Sequence, residues 1–338
     1  MARTLTIVEA LKEAIREEMD RDPRVFCIGE DIGTPGGWGG AFTVTNGLSD
    51  EYGLDRILDT PIAEIGLAGV AIGASIGGLR PIADVQYGDF LFCMMDQLAN
   101  QAAKLTYMSG GKINVPMVMR VPVGATTRAA QHSQSLEGLF IHIPGLKVAA
   151  PCTAYDAKGL LKTAVRDDNP VMFFEHKLLY GSRGNRAEAG ALNASGEVPE
   201  EDYTIPFGRG VVRREGTDVT ILGKLITVYR AMEAAEILAK DGIEAEVIDP
   251  RTLVPFDWDM LMTSIKKTGR LVIVDEEPAT GGWAAEIAAR AVEKAFDWLD
   301  APVLRVTAPD TPVPFAPEME QFYLPDARKI VVAVRQII

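Results

Sequence analysis

The sequence predicts an α/β protein built from two doubly wound domains. Short runs rich in β-branched residues alternate with helical stretches of ten or more residues, a pattern typical of mostly parallel sheets. A polar segment without apolar periodicity divides this alternation near the middle of the chain. The length of 338 residues agrees with about two domains of roughly 150 residues each.

The first predicted helix begins at a capping signal. Thr6 precedes the first apolar residues and Glu9 follows it by three positions, which is the spacing of a capping box. Apolar residues then recur at helical spacing, at Val8, Leu11, Ile15 and Met19. The pair Asp22-Pro23 ends this helix because proline cannot continue it.

The alternation continues through the N-terminal half. The predicted strands are Val25–Ile28, Arg56–Leu58, Pro81–Tyr87, Val115–Val121, Lys147–Ala150 and Val171–Glu175. The predicted helices that separate them are Glu64–Gly77, Phe90–Lys104 and Tyr155–Arg166.

Residues 183–206 are predicted to be a linker between a domain of residues 1–182 and a smaller α/β domain of residues 207–338. The predicted strands of the second domain are Val219–Gly223, Glu244–Asp249, Arg270–Val274 and Val303–Thr307. Its predicted helices are Thr227–Lys240, Asp257–Lys267, Gly282–Phe296 and Pro325–Ile338.

Composition excludes several classes of protein. The formal net charge of -13 disfavours binding to nucleic acid, and no apolar run is long enough to span a membrane. The three cysteines, Cys27, Cys93 and Cys152, are scattered and are predicted to be reduced thiols of the core. We therefore expect a soluble cytoplasmic protein without a secretory signal.

The usual phosphate-binding loops are missing. The segment Gly36–Phe42 does not match G-x-G-x-x-G, and the chain has no P-loop, zinc-ligand spacing or G-x-S-x-G motif. The glycines between Gly33 and Gly40 still follow the end of a predicted strand, where ligands commonly bind in α/β proteins. Surface flexibility is an equally good explanation of this loop.

Glu64 begins a helix that carries Gly66, Gly69, Gly73 and Gly77 on one face. This bare face predicts close packing against a neighbouring helix or subunit. The carboxylate is either a partner of the helix dipole or a functional acid, and the residues alone favour the structural role slightly.

The chain has three histidines. His132 lies in a polar loop and is either a proton donor near pH 7 or an ordinary loop residue. His142 and His176 lie between apolar residues and are predicted to be structural. The segment Arg166–Pro170 is predicted to be a turn, with a monovalent cation site as the alternative.

Several segments together resemble one family along the chain from Thr4 to the C-terminus. They are DTPIAEIGLAGVAIGASIGGLRPIADVQYGDF, DQLANQAAKLTYMSGG, AAQHSQS, PGLKVAAP, YDAKGLLKTAVRDDNPVMFFEHKLLYG and RVTAPDTPVPF. Together they are similar to the β subunits of heterotetrameric 2-oxo acid dehydrogenases, which include pyruvate, branched-chain and acetoin enzymes.

The resemblance implies a division of labour between two kinds of subunit. The N-terminal domain would receive the aminopyrimidine ring of thiamine diphosphate, and the C-terminal domain would be of the transketolase type. A partner α subunit would carry the G-D-G…N motif that holds the diphosphate and Mg²⁺, and that motif is absent here. An α2β2 heterotetramer and a lipoyl-bearing acyltransferase core are the implied partners, the latter docking near Asp310–Phe315 and the C-terminal helix.

The resemblance also implies roles for individual residues. Glu64 would bond N1′ of the aminopyrimidine, which enables the neighbouring amino group to deprotonate the thiazolium carbon. Phe90 would pack against the pyrimidine ring, Gln86 would be a polar neighbour, and His132 would assist acyl transfer to the lipoyl arm. In some members a potassium ion is held at positions that match Met117, Ala164, Val165, Asp167 and Asn169.

The expected reaction is oxidative decarboxylation of pyruvate with acyl transfer to lipoate, and acetoin or branched-chain 2-oxo acids are alternative substrates. Two hypotheses come from other classes. One is a stand-alone nucleotide-binding oxidoreductase, which the missing glycine fingerprint disfavours. The other is a scaffold subunit without a catalytic role, which the combination of Glu64, Phe90 and His132 disfavours.

Overall fold

The computed structural model describes residues 3–181 and 190–338. The strands are β1 (Arg3–Leu5), β2 (Val25–Gly29), β3 (Ile57–Asp59), β4 (Arg80–Asp84), β5 (Val118–Val123), β6 (Lys147–Ala149), β7 (Val171–His176), β8 (Gly196–Val198), β9 (Val211–Arg214), β10 (Val219–Leu222), β11 (Ala245–Asp249), β12 (Thr252–Val254), β13 (Leu271–Pro278) and β14 (Leu304–Ala308).

The α-helices are α1 (Ile7–Arg21), α2 (Leu48–Tyr52), α3 (Glu64–Ile76), α4 (Ala103–Met108), α5 (Glu137–Ile141), α6 (Ala154–Arg166), α7 (Ile226–Ala239), α8 (Trp258–Thr268), α9 (Trp283–Ala295), α10 (Pro317–Tyr323) and α11 (Ala327–Arg335). Short 3₁₀ helices occur at Gly88–Met94, Lys177–Leu179 and Phe296–Trp298, and a π-helical turn at Asp96–Ala102.

The chain folds into two compact units. The first comprises residues up to Val123 together with Phe140–Phe207, and the second comprises Gly124–Leu139 together with Gly208–Ile338. The sequence did not predict that residues 124–139, inside the expected N-terminal domain, group with the C-terminal residues. The predicted domain limits at residues 182 and 207 stay predictions.

In the first unit six strands form a parallel sheet in the order β6-β7-β5-β4-β2-β3. Helix α1 packs against α6, and α3 packs against β4 and the 3₁₀ helix Gly88–Met94. All five residues of β2 and all six of β5 and β7 are buried, as expected for parallel strands with both faces covered. The predicted α/β architecture of this half is therefore confirmed.

In the second unit five strands run in the order β14-β13-β10-β11-β9. Strands β10, β11, β13 and β14 are parallel, and β9 is an antiparallel edge strand. The sequence analysis missed β9 and α10, and it extended the last helix beyond α11 at both ends.

Two local predictions need correction. The helix expected over Phe90–Lys104 is instead a 3₁₀ helix, a π-helical turn and α4 in succession, and apolar spacing cannot separate these helix types. The predicted linker contains β8, which pairs with β1 in antiparallel fashion. Its residues 183–189 lie outside the described residues.

The capping box at the start of α1 is confirmed. The Thr6 hydroxyl oxygen accepts from the Glu9 backbone N–H at 3.2 Å, and the Glu9 carboxylate accepts from the Thr6 N–H at 2.8 Å. Two N–H groups that a helix start would leave unsatisfied are thereby paired.

We predict that Thr6→Ala lowers the free energy of unfolding by about 1 kcal/mol, because the side-chain acceptor of the cap is lost. Urea unfolding followed by circular dichroism measures the change. Thr4→Ala, at an exposed threonine of β1, is the matched control and should leave stability within about 0.5 kcal/mol of the wild type. Equal effects of the two substitutions would contradict the capping argument.

Candidate functional site

The carboxyl edge of the first parallel sheet carries the residues predicted to receive the cofactor. Strands β3 and β4 pair with β2 on its two sides and run parallel to it, so the segments that follow them leave the same edge of the sheet, one on each side of β2. Glu64 follows β3, whereas Gln86 and Phe90 follow β4. The structure therefore brings these three residues to the edge where ligands bind in open α/β sheets.

Glu64 is the first residue of α3 and is half-buried. Glu30 directly follows the neighbouring strand β2 at the same edge. Burial raises the pKa of Glu30, and the negative charge of Glu64 raises it further. This edge therefore concentrates two acids beside the positive end of a 13-residue helix.

Gln86 ties the glycine-rich loop to the sheet edge. Its Nε2 donates to the Glu30 carbonyl at 3.1 Å, and its Oε1 accepts from the Ala41 N–H at 2.8 Å. Gly40 has a φ of 78°, and a Cβ there would lie 2.7 Å from Gln86 Nε2. The loop is thus closely held at Gly40, and a larger residue would push the amide aside.

Behind this edge lies a buried charge network that the sequence analysis missed. Arg120 of β5 donates to Asp84 of β4 at 2.5 Å and to both carboxylate oxygens of Glu175 of β7 at 2.6 and 2.8 Å. The Tyr180 hydroxyl donates to Glu175 at 2.6 Å, and the Tyr180 ring stacks on Phe42 at a centroid distance of 4.7 Å.

The sequence did contain a signal for this network, because three charged residues occur in otherwise apolar strand segments. Asp84 and Arg120 interrupt predicted buried strands and Glu175 ends one, and a buried charge needs a partner. Burial raises the pKa of Asp84 to about 6, although the positive charge of Arg120 limits the rise.

Helix α3 exposes the glycine face that the sequence analysis placed on a buried helix. A Cβ built on Gly69 or Gly73 meets no atom within 4 Å among the residues that the structure places. Ile65 is 60% exposed and Val70 is 54% exposed on the same helix. Among the described residues no neighbouring helix covers Gly69 or Gly73, so the predicted packing of this face against a helix of the same chain is not observed there.

His132 lies in the second unit, in the loop of residues 124–139, and is half-buried. Its backbone N–H donates to the Ala129 carbonyl at 3.3 Å. His176 is buried and its Nδ1 accepts from the Leu178 N–H at 3.1 Å, so its predicted structural role is confirmed.

The prediction for His142 is wrong, because this residue is exposed. Helix α5 ends at Ile141, and the apolar neighbours Phe140 and Leu146 face the core instead of the histidine. Cys93 is likewise exposed, whereas Cys27 and Cys152 are buried as predicted, and all three thiols are free.

The five residues of the predicted potassium site converge only in part. The carbonyls of Val165 and Asp167 both accept from Arg80 Nη1, at 2.9 and 3.0 Å, and the Asp167 carboxylate pairs with Lys147. Two of the oxygens that a potassium ion needs are thus engaged by a guanidinium. The arrangement does not fit a complete potassium cage, and potassium stays a prediction.

The site residues otherwise fit an aminopyrimidine. Phe90 offers a half-buried aromatic ring, and Glu64 offers a carboxylate at a helix start. The Thr60 Oγ1 at the same edge is buried and has no hydrogen-bond partner within residues 3–181 and 190–338. A polar group supplied from outside the chain would satisfy it.

Two further absences hold for the described ranges. No cluster of three or more His, Cys, Asp or Glu side chains could hold a metal ion there. No helix in those ranges combines the length and the apolar character that crossing a bilayer requires.

Comparison with known proteins matches two stretches of the chain to family models. Residues 3–183 match "Transketolase, pyrimidine binding domain", and residues 208–330 match "Transketolase, C-terminal domain". A solved structure described as a split-gene transketolase, an inactive β4 tetramer, superposes with a TM-score of 0.77 over 98% of each chain at 24% identity. That likeness shows the fold.

Relatives of nearly full length carry three different names. The β subunit of the acetoin:2,6-dichlorophenolindophenol oxidoreductase of Cupriavidus necator is 49% identical over 99% of this chain and 98% of its own. The pyruvate dehydrogenase E1 β subunit of Rickettsia felis is 45% identical, and the 2-oxoisovalerate dehydrogenase β subunit of Bacillus subtilis 42% identical, each over 98% of both chains.

We predict that Asp84→Asn changes how stability depends on pH. The pKa of Asp84 is raised from 3.8 to about 6, so its contribution to stability is present at low pH and is lost as the pH rises through 6. The stability of the wild type relative to the variant should fall by about 1.4 kcal/mol between pH 5 and pH 7.5. Chemical denaturation at both pH values measures this difference, with the exposed Asp55→Asn as control. Parallel pH curves for the wild type and Asp84→Asn would contradict the assignment.

Proposed function

This chain belongs to the family of β subunits of the pyruvate, branched-chain 2-oxo acid and acetoin dehydrogenases, and from that premise we propose that it supplies half of a thiamine-diphosphate-dependent active site. The observation that carries the proposal is the placement of Glu64 at the start of α3, at the same sheet edge as Glu30, Gln86 and Phe90. The family implies thiamine diphosphate as the cofactor.

The proposed roles follow from the position of each side chain. Thiamine diphosphate, when bound, supplies the electron sink for breaking the carbon–carbon bond beside a carbonyl group. Glu64 holds a proton at N1′ of the aminopyrimidine, Phe90 packs on the ring, and Gln86 keeps the glycine-rich loop against the sheet edge. Mg²⁺ and the diphosphate are assigned to the α subunit, because this sequence lacks the G-D-G…N motif.

The proposed partner of this chain is an α subunit in an α2β2 heterotetramer. Support comes from α3, whose glycine face is bare and whose Ile65 and Val70 are exposed next to Glu64. An exposed apolar surface of this kind is typical of a protein interface. An α subunit seated there would also close the half-site around Glu64.

The proposed second partner is the lipoyl-bearing acyltransferase. Phe315, Met319 and Phe322 are 67%, 61% and 78% exposed, and they lie at and after the segment Asp310–Phe315. Met319 and Phe322 are three residues apart in α10 and therefore lie on one side of this helix, and Phe315 lies just before its start. His132 is proposed to donate a proton to the dithiolane sulfur during acyl transfer.

Pyruvate is the proposed substrate, and acetoin is the second candidate. The acetoin relatives are 49% and 47% identical to this chain, slightly above the 45% of the pyruvate relative. Both substrates would supply a two-carbon acyl group to the lipoyl arm. Co-expression with the α subunit, followed by assays of pyruvate, acetoin and a branched-chain 2-oxo acid, distinguishes the alternatives. A cytoplasmic location is also proposed, since three free thiols suit a reducing compartment.

We predict that Glu64→Gln in the α/β complex lowers the rate with an artificial electron acceptor by at least about 100-fold, because the proton at N1′ is no longer held by an acid. The complex should assemble normally, as measured by size-exclusion chromatography. Glu201→Gln, at an exposed glutamate, is the control. Full activity of Glu64→Gln would contradict the proposed role and favour a scaffold subunit.

We predict that His132→Gln separates the two half-reactions. The rate with an artificial acceptor should stay within about 3-fold of the wild type, whereas acyl transfer to a lipoyl domain should fall by about 100-fold, because only the second step needs the proton. His142→Gln, at the exposed histidine, is the matched control. Equal losses in both assays would argue against this role for His132.

A further inference from the structure

The loop that carries His132 belongs to the second unit, and it is attached near both of its ends to the residues after Gly208. We define the His132 loop as residues 124–139. Within the loop the Gly124 N–H donates to the Gln134 carbonyl at 3.3 Å. Thr127 and Glu137 each lie five positions from His132, so the histidine is midway between two points of attachment.

The first attachment is made by α10. The Thr127 N–H donates to Glu320 Oε2 at 2.8 Å, and Glu320 is buried. The preceding Ala125 packs in a small core cluster with Ala308, Val313 and Tyr323. This end of the loop is therefore held by one backbone hydrogen bond and by apolar contacts.

The second attachment is a buried cluster of four charged side chains, which we call the carboxylate clamp: Glu137, Lys224, Asp275 and Glu277. Lys224 Nζ lies 2.8 Å from Glu137, 3.0 Å from Asp275 and 3.3 Å from Glu277. Lys224 is 1% exposed, and Glu137 and Asp275 are fully buried. One ammonium group thus connects the loop to two carboxylates of β13.

The clamp has more carboxyl groups than its one cation can neutralise. Three ionised carboxylates would leave a buried net charge of minus two, which is costly in a desolvated site. Burial and the charge of Asp275 raise the pKa of Glu277 well above its usual range. Although burial opposes its ionisation, Lys224 lowers the pKa of Glu137. The protonated form is therefore favoured at Glu277 rather than at Glu137.

Backbone N–H groups also bind the carboxyl groups of the clamp, and little space is left for a side chain at Gly138. The Gly138 N–H donates to Glu277 Oε1 at 2.9 Å, and the Trp283 N–H at the start of α9 donates to Oε2 at 3.1 Å. The Ala284 N–H donates to Asp275 at 3.0 Å. A Cβ on Gly138 would lie 2.3 Å from Glu277 Oε2, so the loop backbone sits directly on the carboxyl group.

We propose that Lys224 and Glu277 are positioning residues for His132, because they hold the C-terminal end of the His132 loop in place. This proposal rests on the proposed role of His132 in acyl transfer. A general acid must stay within hydrogen-bond reach of the atom that it protonates, and a loop held at only one end cannot keep that distance.

The test uses the α/β complex with Lys224→Met, which leaves the buried carboxylates without their cation. Amide hydrogen exchange over residues 128–138 should accelerate by at least about 10-fold. Acyl transfer to a lipoyl domain should fall by about 10-fold or more, whereas the rate with an artificial acceptor stays within about 2-fold. Lys240→Met, at an exposed lysine after the other end of α7, is the matched control.

Substitutions of the glutamates sharpen the test. Glu277→Gln should behave as wild type, because a neutral amide can replace a protonated carboxyl group, whereas Glu277→Leu should resemble Lys224→Met. Glu137→Gln keeps the volume and loses one charge, so it should give a smaller change in the same direction. It serves as the decisive variant if Lys224→Met fails to fold.

A chemical measurement makes the outcome independent of catalysis. The rate at which diethylpyrocarbonate modifies His132, resolved by mass spectrometry from the exposed His142 and the buried His176, should rise about 3-fold or more as the loop opens. If the wild-type complex transfers no acyl group, the proposed function is wrong. The rates of amide hydrogen exchange and of His132 modification then test by themselves whether the clamp holds the loop.

Two results would overturn the proposal. One is unchanged exchange and unchanged His132 modification in Lys224→Met, which would mean that the clamp does not hold the loop. The other is a loosened loop with normal lipoyl transfer, which would mean that holding it does not position His132. A Glu277→Gln variant as impaired as Glu277→Leu would contradict the protonated state.

Discussion

The Arg120 guanidinium lies inside the first parallel sheet, 1% exposed, with a carboxylate on each neighbouring strand. Desolvating such a charge is expensive, and only paired, well-directed hydrogen bonds recover the cost. Those bonds reach Asp84 on β4 and Glu175 on β7, so Arg120 joins the three central strands through side chains as well as through the backbone ladder. The register of these strands decides where the segments at their carboxyl ends begin.

Aromatic contacts connect this ion network to the candidate site. Glu175 accepts from the Tyr180 hydroxyl, Tyr180 stacks on Phe42, and Phe42 ends the glycine-rich loop that Gln86 also holds. The loop that appears flexible from its glycine content is therefore connected to the core of the sheet. Rigid support behind a loop is what allows the loop to present backbone groups accurately.

The order of strands and helices was readable from the sequence wherever local chemistry decides it. Thr6 with Glu9 predicted the start of α1, and the predicted helix start at Glu64 is the start of α3. The outward direction of His142 and the exposure of Cys93 were not readable, because an apolar neighbourhood in sequence does not specify which side of a short helix is buried.

The partners of Arg120 and Lys224 could not be predicted for a different reason. Arg120 meets residues 36 and 55 positions away, and Lys224 meets Glu137 at a separation of 87. A single sequence shows that a charge interrupts an apolar strand but carries no information on which distant charge it meets. Of the site, Glu64, Gln86 and Phe90 were predicted together through the family resemblance, and the structure places them at one sheet edge.

The second unit is discontinuous in the chain, and this has a consequence for how the protein is made. Residues 124–139 leave the ribosome early, but their anchors at Lys224, Glu277 and Glu320 are synthesised much later. At about 5–20 residues per second, the wait is on the order of ten seconds or more. During that time the first unit can complete its sheet while the segment bearing His132 has nothing to bind to. The nascent chain can therefore form the sheet edge that carries Glu64 before the loop that carries His132 is anchored.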